Sequence, residues 1–594
     1  MCGICGILGP AEAGEIAIQK MTHALTHRGP DGQAWGSPGP GVWLGHARLK
    51  VIDLSPQAAQ PMAIGRHVIV FNGEIYNHRE LRRELEDQGE SFFSQSDTEV
   101  LLRAFVRNGE GVLPQLHGMF AFAVWDGARL FLARDFSGKK PLYYFQSGNR
   151  FLFGSEPKAI CAALPHQLQR DFQPYSLVFG TTPPERSWLK EIRQIPPGGS
   201  AWFDPVTGEL VQKRWWRFPR PARVPPARPV QKIRELLLKA VERRLQSDVP
   251  LGAFLSGGID STVVVGLMRE LRPHDRIRTF NVRFVDDPKF DESSYALVVA
   301  RKFRTDHEVL EVKACGLKDP VETVLHHHDG PFGDSSTLPF HLLCREAKKH
   351  VTVALTGDGG DEVFGGYDRL RACLWGRWTP RWLSRLAVMI PDAHPKSFLA
   401  RLRRFLRASS APLPESLWGL MAVNQPQELG KTWANLDPSL WARWQESEGW
   451  PLENRILHLN FSQYLPEDLL PKGDRASMAV GLEIRCPFLD RDLAEFAFAL
   501  PARLHFDCFY SKKLLKEACA DLIPPEIRHR PKMGFGIPLA GMFRSLSPVP
   551  VGPISAHSLE REPWLTQALA RADSAEKKWL SELVTRWLRS PDPA

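Results

Sequence analysis

The chain has 594 residues, of which 43% are apolar and 24% are charged, and its formal net charge is +9. At roughly 100–200 residues per domain several domains are expected, and an apolar content near the globular average excludes wholesale disorder and collagen-like structure. No apolar run approaches the ~18–20 residues of a membrane-spanning helix, and the N-terminus lacks the basic region of a secretory signal. The nine cysteines are widely spread, so a reducing cytoplasm is expected. The basic charge leaves nucleic-acid binding open.

Residues 1–210 have the patterns of strands, tight turns and a few helices, and they are predicted to form a first domain. The turn Asp126-Gly127 lies between two apolar runs at 120–126 and 129–135, which is a strong hairpin signal. Two further runs, 141–145 and 151–156, repeat this pattern. Residues 81–88 and 98–106 have helical spacing instead. Mixed antiparallel sheet with helices is therefore expected in this domain.

Residues 211–229 are rich in proline and arginine, which predicts an extended linker. In residues 230–545, which are predicted to form the second domain, strand patterns at 249–255, 279–285, 307–312 and 351–355 alternate with helical ones at 261–270, 295–303 and 338–349. Such alternation favours a parallel, doubly wound sheet, which binds ligands at the carboxyl ends of its strands. Residues beyond about 370 have mostly helical patterns. Residues 546–594 form a tail whose composition indicates no particular structure.

Cys2 directly follows the initiator methionine. Removal of Met1 would leave a cysteine with a free α-amine of pKa about 8, so that one residue would carry both a nucleophile and a base. For Cys2 alone, a small buried thiol is the simpler alternative. Cys5 completes a CxxC pattern that leaves redox and metal chemistry open.

Three motifs downstream favour the nucleophile. Asn72 and Gly73 place an amide side chain next to a free N–H, and such a pair is a natural oxyanion hole for acyl transfer. Asp97 offers a carboxylate to a substrate amine, and Arg48 offers a fork to a substrate carboxylate. An amine, a carboxylate and a cleavable acyl group together describe glutamine.

The motifs MCGICGI, HRGPD, NGEIYN, SDTE, RDFSGKKPLYY and GSEPKAI resemble the class II glutamine amidotransferase domain. The resemblance implies an N-terminal nucleophile hydrolase of αββα fold that releases ammonia from glutamine, with Cys2 as nucleophile and with Asn72 and Gly73 as oxyanion hole. The residues implied to contact glutamine are Arg48, Leu49, Lys50, Val51, Ile52, Asn72, Gly73, Glu74 and Asp97.

Two glycine-rich turns follow predicted buried strands. Residues 255–261 place glycine N–H groups at a helix N-terminus, where an anion is stabilised, but no Gly-Lys-Ser/Thr of a Walker A loop follows. The turn matches the SGGxDS pyrophosphate loop of enzymes that split ATP into AMP and pyrophosphate. Residues 356–362 carry three carboxylates among three glycines. They could form a solvated acidic loop, but their place at the same sheet edge favours a Mg²⁺–ATP site.

Residues 478–490 and 530–538 resemble the synthetase domain of glutamine-hydrolysing asparagine synthetases, so that the resemblance spans residues 1–545. It implies that Mg²⁺ is held by Asp260 and Asp361, and that Lys532 stabilises charge on the phosphates; a solvated loop lysine is the alternative. Asp358 stands where some members have a glutamate proposed to handle the protons of ammonia. The residues implied to contact ATP are Leu255, Ser256, Gly257, Gly258, Asp260, Ser261, Val282, Thr356 and Gly357.

The sequence thus predicts a two-site ligase that hydrolyses glutamine and uses Mg²⁺–ATP to adenylate a carboxylate, which the resemblance implies to be aspartate. Asp358 in place of glutamate, and residues 334–336 where some members have arginine, leave a sugar acid or a peptide open as the acceptor. A tRNA-acting enzyme is a third possibility, but the densest arginine cluster, at 401–407, has the spacing of an amphipathic helix. The expected partners are small molecules, without nucleic acid or membrane, and a homodimer is left open.

Overall fold

The computed structural model describes residues 2–9, 14–164, 168–183, 185–284, 291–312, 319–380, 382–383, 386, 389–390, 397–408, 411–530, 565 and 574–590. The strands, in chain order, are β1 (Gly3–Leu8), β2 (Gly32–Gly39), β3 (Val42–Arg48), β4 (Met62–Ile64), β5 (His67–Ile75), β6 (Gly118–Trp125), β7 (Leu130–Arg134), β8 (Tyr143–Ser147), β9 (Arg150–Gly154), β10 (Ile192–Gln194), β11 (Gly199–Phe203), β12 (Leu210–Arg214), β13 (Leu251–Phe254), β14 (Arg278–Phe284), β15 (Asp306–Val312), β16 (Val353–Leu355) and β17 (Glu483–Arg485).

The helices alternate with these strands and dominate the second half. In chain order they are α1 (Gly14–His23), α2 (His78–Asp87), α3 (Asp97–Asn108), α4 (Pro157–Cys161), α5 (Pro174–Phe179), α6 (Pro229–Arg244), α7 (Ile259–Leu271), α8 (Ser293–Phe303), α9 (Pro320–His328), α10 (Thr337–Ala347), α11 (Gly360–Phe364), α12 (Asp368–Gly376), α13 (Phe398–Ala408), α14 (Glu415–Met421), α15 (Pro438–Glu446), α16 (Leu452–Leu459), α17 (Leu470–Met478), α18 (Arg491–Ala499), α19 (Lys513–Ala518), α20 (Pro525–Arg528) and α21 (Ala575–Arg589). A π-helix, Asn460–Leu469, joins α16 to α17.

Two antiparallel sheets of six strands each form the first part of the molecule, in the orders β10-β8-β9-β1-β3-β2 and β12-β11-β7-β6-β5-β4. Alternate residues of the two sheets, among them Leu44 and Ala123, meet in one apolar cluster between them. Helices α1 and α4 pack with the first sheet, and α2 and α3 pack with the second. The predicted hairpins are present, because β6 pairs with β7 and β8 pairs with β9.

The second part is built on a parallel sheet of five strands in the order β15-β14-β13-β16-β17. The predicted strands and helices between 249 and 355 are all observed. Because β13 and β16 are neighbours, the glycine-rich turns that follow them lie side by side, as the sequence predicts. Strand β17 was not predicted, because its three residues include the charged side chains of Glu483 and Arg485, both of which are fully buried.

Two further segments differ from the simplest expectation. Strand β12 runs to Arg214, past the predicted end of the first domain at residue 210, and pairs with β11. In the tail, helix α21 buries Trp579 and Leu583 against Trp188 and α9, although the composition of this region predicts little. Residues 401–407 lie in α13, as the helical spacing predicts. No described helix is both long and apolar enough to cross a membrane.

A buried network of charges joins the two parts. Arg28 of the first part is fully buried, and its Nη1 lies 2.7 Å from Glu156 and 2.8 Å from Asp474 of α17. Lys140 lies 3.4 Å from the same Asp474. Although burial raises it, Arg28 and Lys140 hold the pKa of Asp474 well below its usual range. The junction is therefore fixed by ion pairs that are shielded from water.

We expect Asp474→Asn to lower the free energy of unfolding by about 3–5 kcal/mol, because Arg28 and Lys140 would lose a buried partner. The folded pKa of Asp474 lies below the unfolded value of about 3.9, so the stabilisation is present above about pH 4 and is lost as the pH falls through the folded pKa. Urea unfolding of both proteins at pH 7 and at about pH 2 measures this, and the difference between them should be smaller at the lower pH. An unchanged midpoint at pH 7 would contradict the structural role.

Candidate active sites

The first site surrounds Cys2, which is buried just before β1. The backbone N–H of Cys2 donates to Asn72 Oδ1 at 3.1 Å, and its Sγ lies 3.8 Å from the carbonyl oxygen of Leu49. Burial raises the pKa of the Cys2 thiol, so the resting thiol keeps its proton and needs a base before it can attack. The predicted nucleophile and the predicted oxyanion-hole amide therefore lie in direct contact.

Asn72 and Gly73 of β5 have the features of a donor site. Asn72 is fully buried, and no described residue accepts a hydrogen bond from its Nδ2. A Cβ on Gly73 would lie 2.1 Å from the carbonyl oxygen of Met119, so only glycine fits there. A buried amide donor without a partner, next to a thiol, fits the stabilisation of an oxyanion.

We expect Asn72→Ala to lower kcat for glutamine hydrolysis on the order of 10²–10³-fold, because one oxyanion donor is lost. Glutamate release measures the effect. Asn77→Ala is the matched control: Asn77 is also buried, but its side chain is bonded to the backbone of Gln115 and His117, at 2.9 Å each. Equal loss of activity in both variants would contradict the role of Asn72 in the oxyanion hole.

The side chains predicted to bind glutamine gather around Cys2. Arg48 is held by two carbonyl oxygens, those of Ser55 at 3.0 Å and Asp53 at 2.6 Å. Asp97 accepts the N–H of Ile75 at 2.9 Å, and burial raises its pKa. Burial and the neighbouring Glu483 raise the pKa of Glu74 well above its usual range. Two buried carboxyls whose pKa values are raised in this way suit a substrate ammonium.

The backbone predicted to contact glutamine runs from Leu49 to Ile52. The N–H of Lys50 donates to Asp31 at 2.8 Å, and the carbonyl oxygen of Val51 accepts the N–H of Asp248 from the second part at 3.0 Å. This segment is therefore fixed from both sides of the junction.

Two residues of this site were missed by sequence reasoning. Arg485 of β17 lies 3.5 Å from Glu74 and 2.6 Å from Glu483, and both β17 side chains are fully buried. The second part thus closes the first site. Both residues belong to the 478–490 motif, but their spacing in the sequence does not show that this motif contacts Glu74, which lies about 400 positions earlier.

Cys5 does not face the Cys2 site. Its Sγ lies 3.4 Å from Thr22 Oγ1 in the apolar cluster beneath α1, and burial raises its pKa to about 12. The described cysteines are all free thiols.

The second site is a cavity of about 740 Å³ at the carboxyl ends of β13 and β16. The residues of the two glycine-rich turns that line it include Ser256, Asp260, Thr356 and Asp358. A Cβ on Gly357 would lie 2.8 Å from Asp260 Cβ, so the two glycine-rich turns touch, as predicted. Other predicted contacts that line it are Leu255, Gly258, Ser261 and Gly357.

Gly257 and Val282 contribute in a different way. Gly257 has a φ of +69°, and a Cβ there would lie 2.5 Å from the backbone of Tyr295, so the turn requires glycine. Val282 is buried within β14, whereas its neighbours Phe280 and Asn281 line the cavity. The contact predicted for Val282 was with its backbone, and it stays a prediction.

Asp260 and Asp361 converge on Lys512, whose Nζ lies 2.5 Å from Asp260 and 2.6 Å from Asp361. Two carboxylates that reach one cation fit a Mg²⁺ site completed by phosphate oxygens. A Cβ on Gly366 would lie 1.8 Å from Asp361 Oδ1, so glycine leaves room for this carboxylate. Lys512 was not foreseen, because it lies about 250 residues from Asp260.

Asp358 accepts a hydrogen bond from Thr356 Oγ1 at 2.9 Å. Lys532 lies outside the described residues. Arg530 was not foreseen: it donates to the carbonyl oxygen of Gly257 at 3.0 Å and stacks over Tyr295 at 4.1 Å. Lys139 of the first part lies next to the cavity. Gly473 lines the cavity, and a Cβ on Gly473 would lie 3.6 Å from Lys139 Nζ.

His117, Asp490 and Asp492 are close enough to hold a metal ion. Arginines already occupy this cluster, however: Arg244 lies 3.0 Å from Asp490, and Arg243 lies 3.1 Å from Asp492. Because these carboxylates are already paired with arginines, the cluster is an ion-pair network.

Comparison with known families agrees with this division. Residues 1–216 match the glutamine amidotransferase domain, and residues 232–575 match asparagine synthase. The protein is therefore a glutamine-hydrolysing, ATP-dependent carbon–nitrogen ligase. The chain belongs to the asparagine synthase family.

Individual relatives cover most of the chain. Asparagine synthetase [glutamine-hydrolyzing] 1 of Bacillus subtilis is 30% identical over 91% of this chain and 87% of its own length. Asparagine synthetase [glutamine-hydrolyzing] 3 of the same organism is 31% identical over 89% and 86%. Amidase chyE of Penicillium rubens is 28% identical over 90% and 88%. Among solved structures, the allosteric regulatory enzyme of purine biosynthesis matches with a TM-score of 0.30 and 17% identity, covering 52% of this chain and 80% of that one.

Proposed function

We propose that the protein is a glutamine-dependent asparagine synthetase, in which ammonia from glutamine amidates aspartate through an acyl-adenylate. The observation that carries the proposal is the arrangement of the two sites: the Cys2–Asn72 pair and the carboxylate-lined cavity lie on either side of one apolar cluster. The residues implied by the family resemblance would serve both half-reactions.

At the first site, the thiol of Cys2 attacks the side-chain carbonyl of glutamine, and the α-amine left by removal of Met1 takes the thiol proton. Asn72 and the Gly73 N–H stabilise the oxyanion while ammonia leaves, and water then releases glutamate from the thioester. Arg48 binds the α-carboxylate of glutamine, and Glu74 with Asp97 binds its α-ammonium. Their raised pKa values, caused by burial, favour the arrival of a cation.

The apolar cluster between the sites provides a path for ammonia. It combines Leu49 and Met119 of the first part with Phe254 and Leu343 of the second. The carbonyl oxygen of Leu49 lies 3.8 Å from Cys2 Sγ, and Phe254 and Leu343 line the cavity. Neutral ammonia enters apolar surroundings far more easily than an ammonium ion, so this layer favours the reactive species.

At the second site, a carboxylate oxygen of aspartate attacks the α-phosphate of ATP, and pyrophosphate leaves. Ammonia then forms the C–N bond as the bond to AMP breaks, and Asp358 takes the proton that is released. Asp260 and Asp361 would hold Mg²⁺, which neutralises phosphate charge. Lys512, which now bridges these two carboxylates, and Lys532 would add positive charge around the phosphates.

The remaining predictions complete the proposal. We infer an αββα N-terminal nucleophile hydrolase at residues 1–210, a linker at 211–229, a doubly wound ATP-binding domain at 230–545 and a tail at 546–594. The described cysteines are free thiols, which fits a reducing cytoplasm. Glutamine, ATP and the acceptor would be the partners.

Another carboxylate is the second candidate acceptor, because relatives of similar coverage include enzymes named amidases. Incubation with glutamine, ATP and a panel of carboxylates, read for AMP and amide product by mass spectrometry, tests both. We expect asparagine with aspartate. An amide formed only from a sugar acid or a peptide would replace aspartate and keep the ligase chemistry.

A further inference from the structure

The cavity of the second site extends beyond the nucleotide loops to a polar end without an assigned role. The side chains that line this end are those of Asp334, Arg369, Tyr464, Asp468 and Lys472. Asn460, Tyr464, Asp468 and Lys472 recur at intervals of four, so they lie on one face of the continuous helix formed by the π-helix and α17. A π-helix of ten residues is rare, and π segments are frequent at functional sites.

Arg369 is held rigidly at this end. Its guanidinium lies between the rings of Tyr367 and Tyr464, 4.0 Å from each ring centroid. Its Nε and Nη2 both donate to Asn460 Oδ1, at 3.1 and 2.8 Å. No described residue accepts a hydrogen bond from its Nη1. A guanidinium fixed in this way is prepared to bind a carboxylate without further ordering.

The negatively charged side chains at this end of the cavity are Asp334 and Asp468, and Asp468 lies about one helical turn after Tyr464. Lys472 donates to Asp334 at 2.8 Å and to Ser336 Oγ at 3.0 Å, so the charge of Lys472 is already matched. Asp468 lies beside Asp334, and its Oδ1 is buried and has no partner among the described residues. Burial and the neighbouring Asp334 raise the pKa of Asp468 well above its usual range, because Lys472 is already paired with Asp334. An amino group of the acceptor beside this pair would favour the ionised form of Asp468 and bind to it.

We propose that Arg369 and the Asp334–Asp468 pair form the recognition end of the acceptor site, where Arg369 binds a second carboxylate of the acceptor and the pair binds its amino group. The third group of such an acceptor, the carboxyl to be activated, points to Asp358 and the nucleotide loops at the other end of the cavity. The inference rests on the proposed function, because it requires that a carboxylate is adenylated there.

Three acceptors separate these contacts. β-Alanine is aspartate without its α-carboxylate, and succinate is aspartate without its amino group. With ATP and ammonium chloride, AMP release from the full-length enzyme is measured for each. We expect wild type to prefer aspartate to both analogues. Arg369→Met should raise KM for aspartate about 10- to 100-fold and leave β-alanine unchanged. Asp468→Asn should reduce the use of aspartate and leave succinate unchanged.

The controls separate recognition from folding. Arg371 lies on the same helix, α12, but is bonded to the Phe509 carbonyl oxygen at 2.8 Å and to Asp368 at 2.6 Å, so Arg371→Met should not change KM for aspartate. Arg369→Lys should recover part of the affinity. Equal loss for aspartate and β-alanine in Arg369→Met would overturn the proposal. The proposal would also be overturned if the enzyme used a sugar acid and Arg369→Met left that activity intact. The ligase function would still stand in that case. AMP release with no carboxylate at all would contradict the proposed function itself.

Discussion

Cys2→Ala is expected to abolish glutamine-dependent amide synthesis, with a loss of roughly 10⁴-fold or more, as for other nucleophile knockouts. Alanine preserves the small residue after Met1 and the backbone N–H that donates to Asn72, but it removes the Sγ that would attack glutamine. Ammonium chloride should restore synthesis, because the second site does not use the thiol. The measurement compares AMP release with glutamine and with ammonium chloride.

Cys5→Ala is the matched control for this experiment. Cys5 is also buried and lies on β1, but its Sγ contacts Thr22 and faces a different cluster. It should therefore keep glutamine-dependent synthesis. If Cys2→Ala still used glutamine, or if Cys5→Ala failed to the same degree, the assignment of the nucleophile would be wrong.

Asp260→Asn has the second largest expected effect. It removes one of two carboxylates that converge on Lys512 and would hold Mg²⁺, so AMP formation should fall on the order of 10²–10³-fold or further, whether ammonia or glutamine is supplied. Basal glutaminase activity should persist, because the Cys2 site lies on the other side of the apolar cluster. Asparagine keeps the shape of the side chain, which matters because Gly357 and Gly360 pack tightly against Asp260.

Asp368→Asn is the control for Asp260→Asn. Asp368 also lines the cavity, but it is exposed and pairs with Arg371 at 2.6 Å. It should keep normal AMP formation. Full AMP formation by Asp260→Asn, or a parallel loss in both variants, would contradict the role of Asp260 at the nucleotide.

Much of the fold was predictable because its signals are local. The hairpin at Asp126-Gly127 follows from a turn dipeptide between apolar runs, and the strand–helix alternation after residue 249 follows from changes in apolar period. Strand β17 and helix α21 were missed. Strand β17 contains buried charges whose partners lie far away in the chain, and α21 lies in a tail whose composition has no clear pattern.

The sequence by itself determined the family and the two chemistries, because the thiol of Cys2, the amide of Asn72 and the carboxylates of Asp260 and Asp361 belong to short motifs with fixed spacing. Only the tertiary structure decided which distant groups complete those motifs. Arg485 reaches Glu74, Lys512 bridges Asp260 and Asp361, and Arg369 is held between two tyrosine rings by Asn460. The physical reason is that buried charges are stable only when partners surround them, and packing brings those partners from anywhere in the chain.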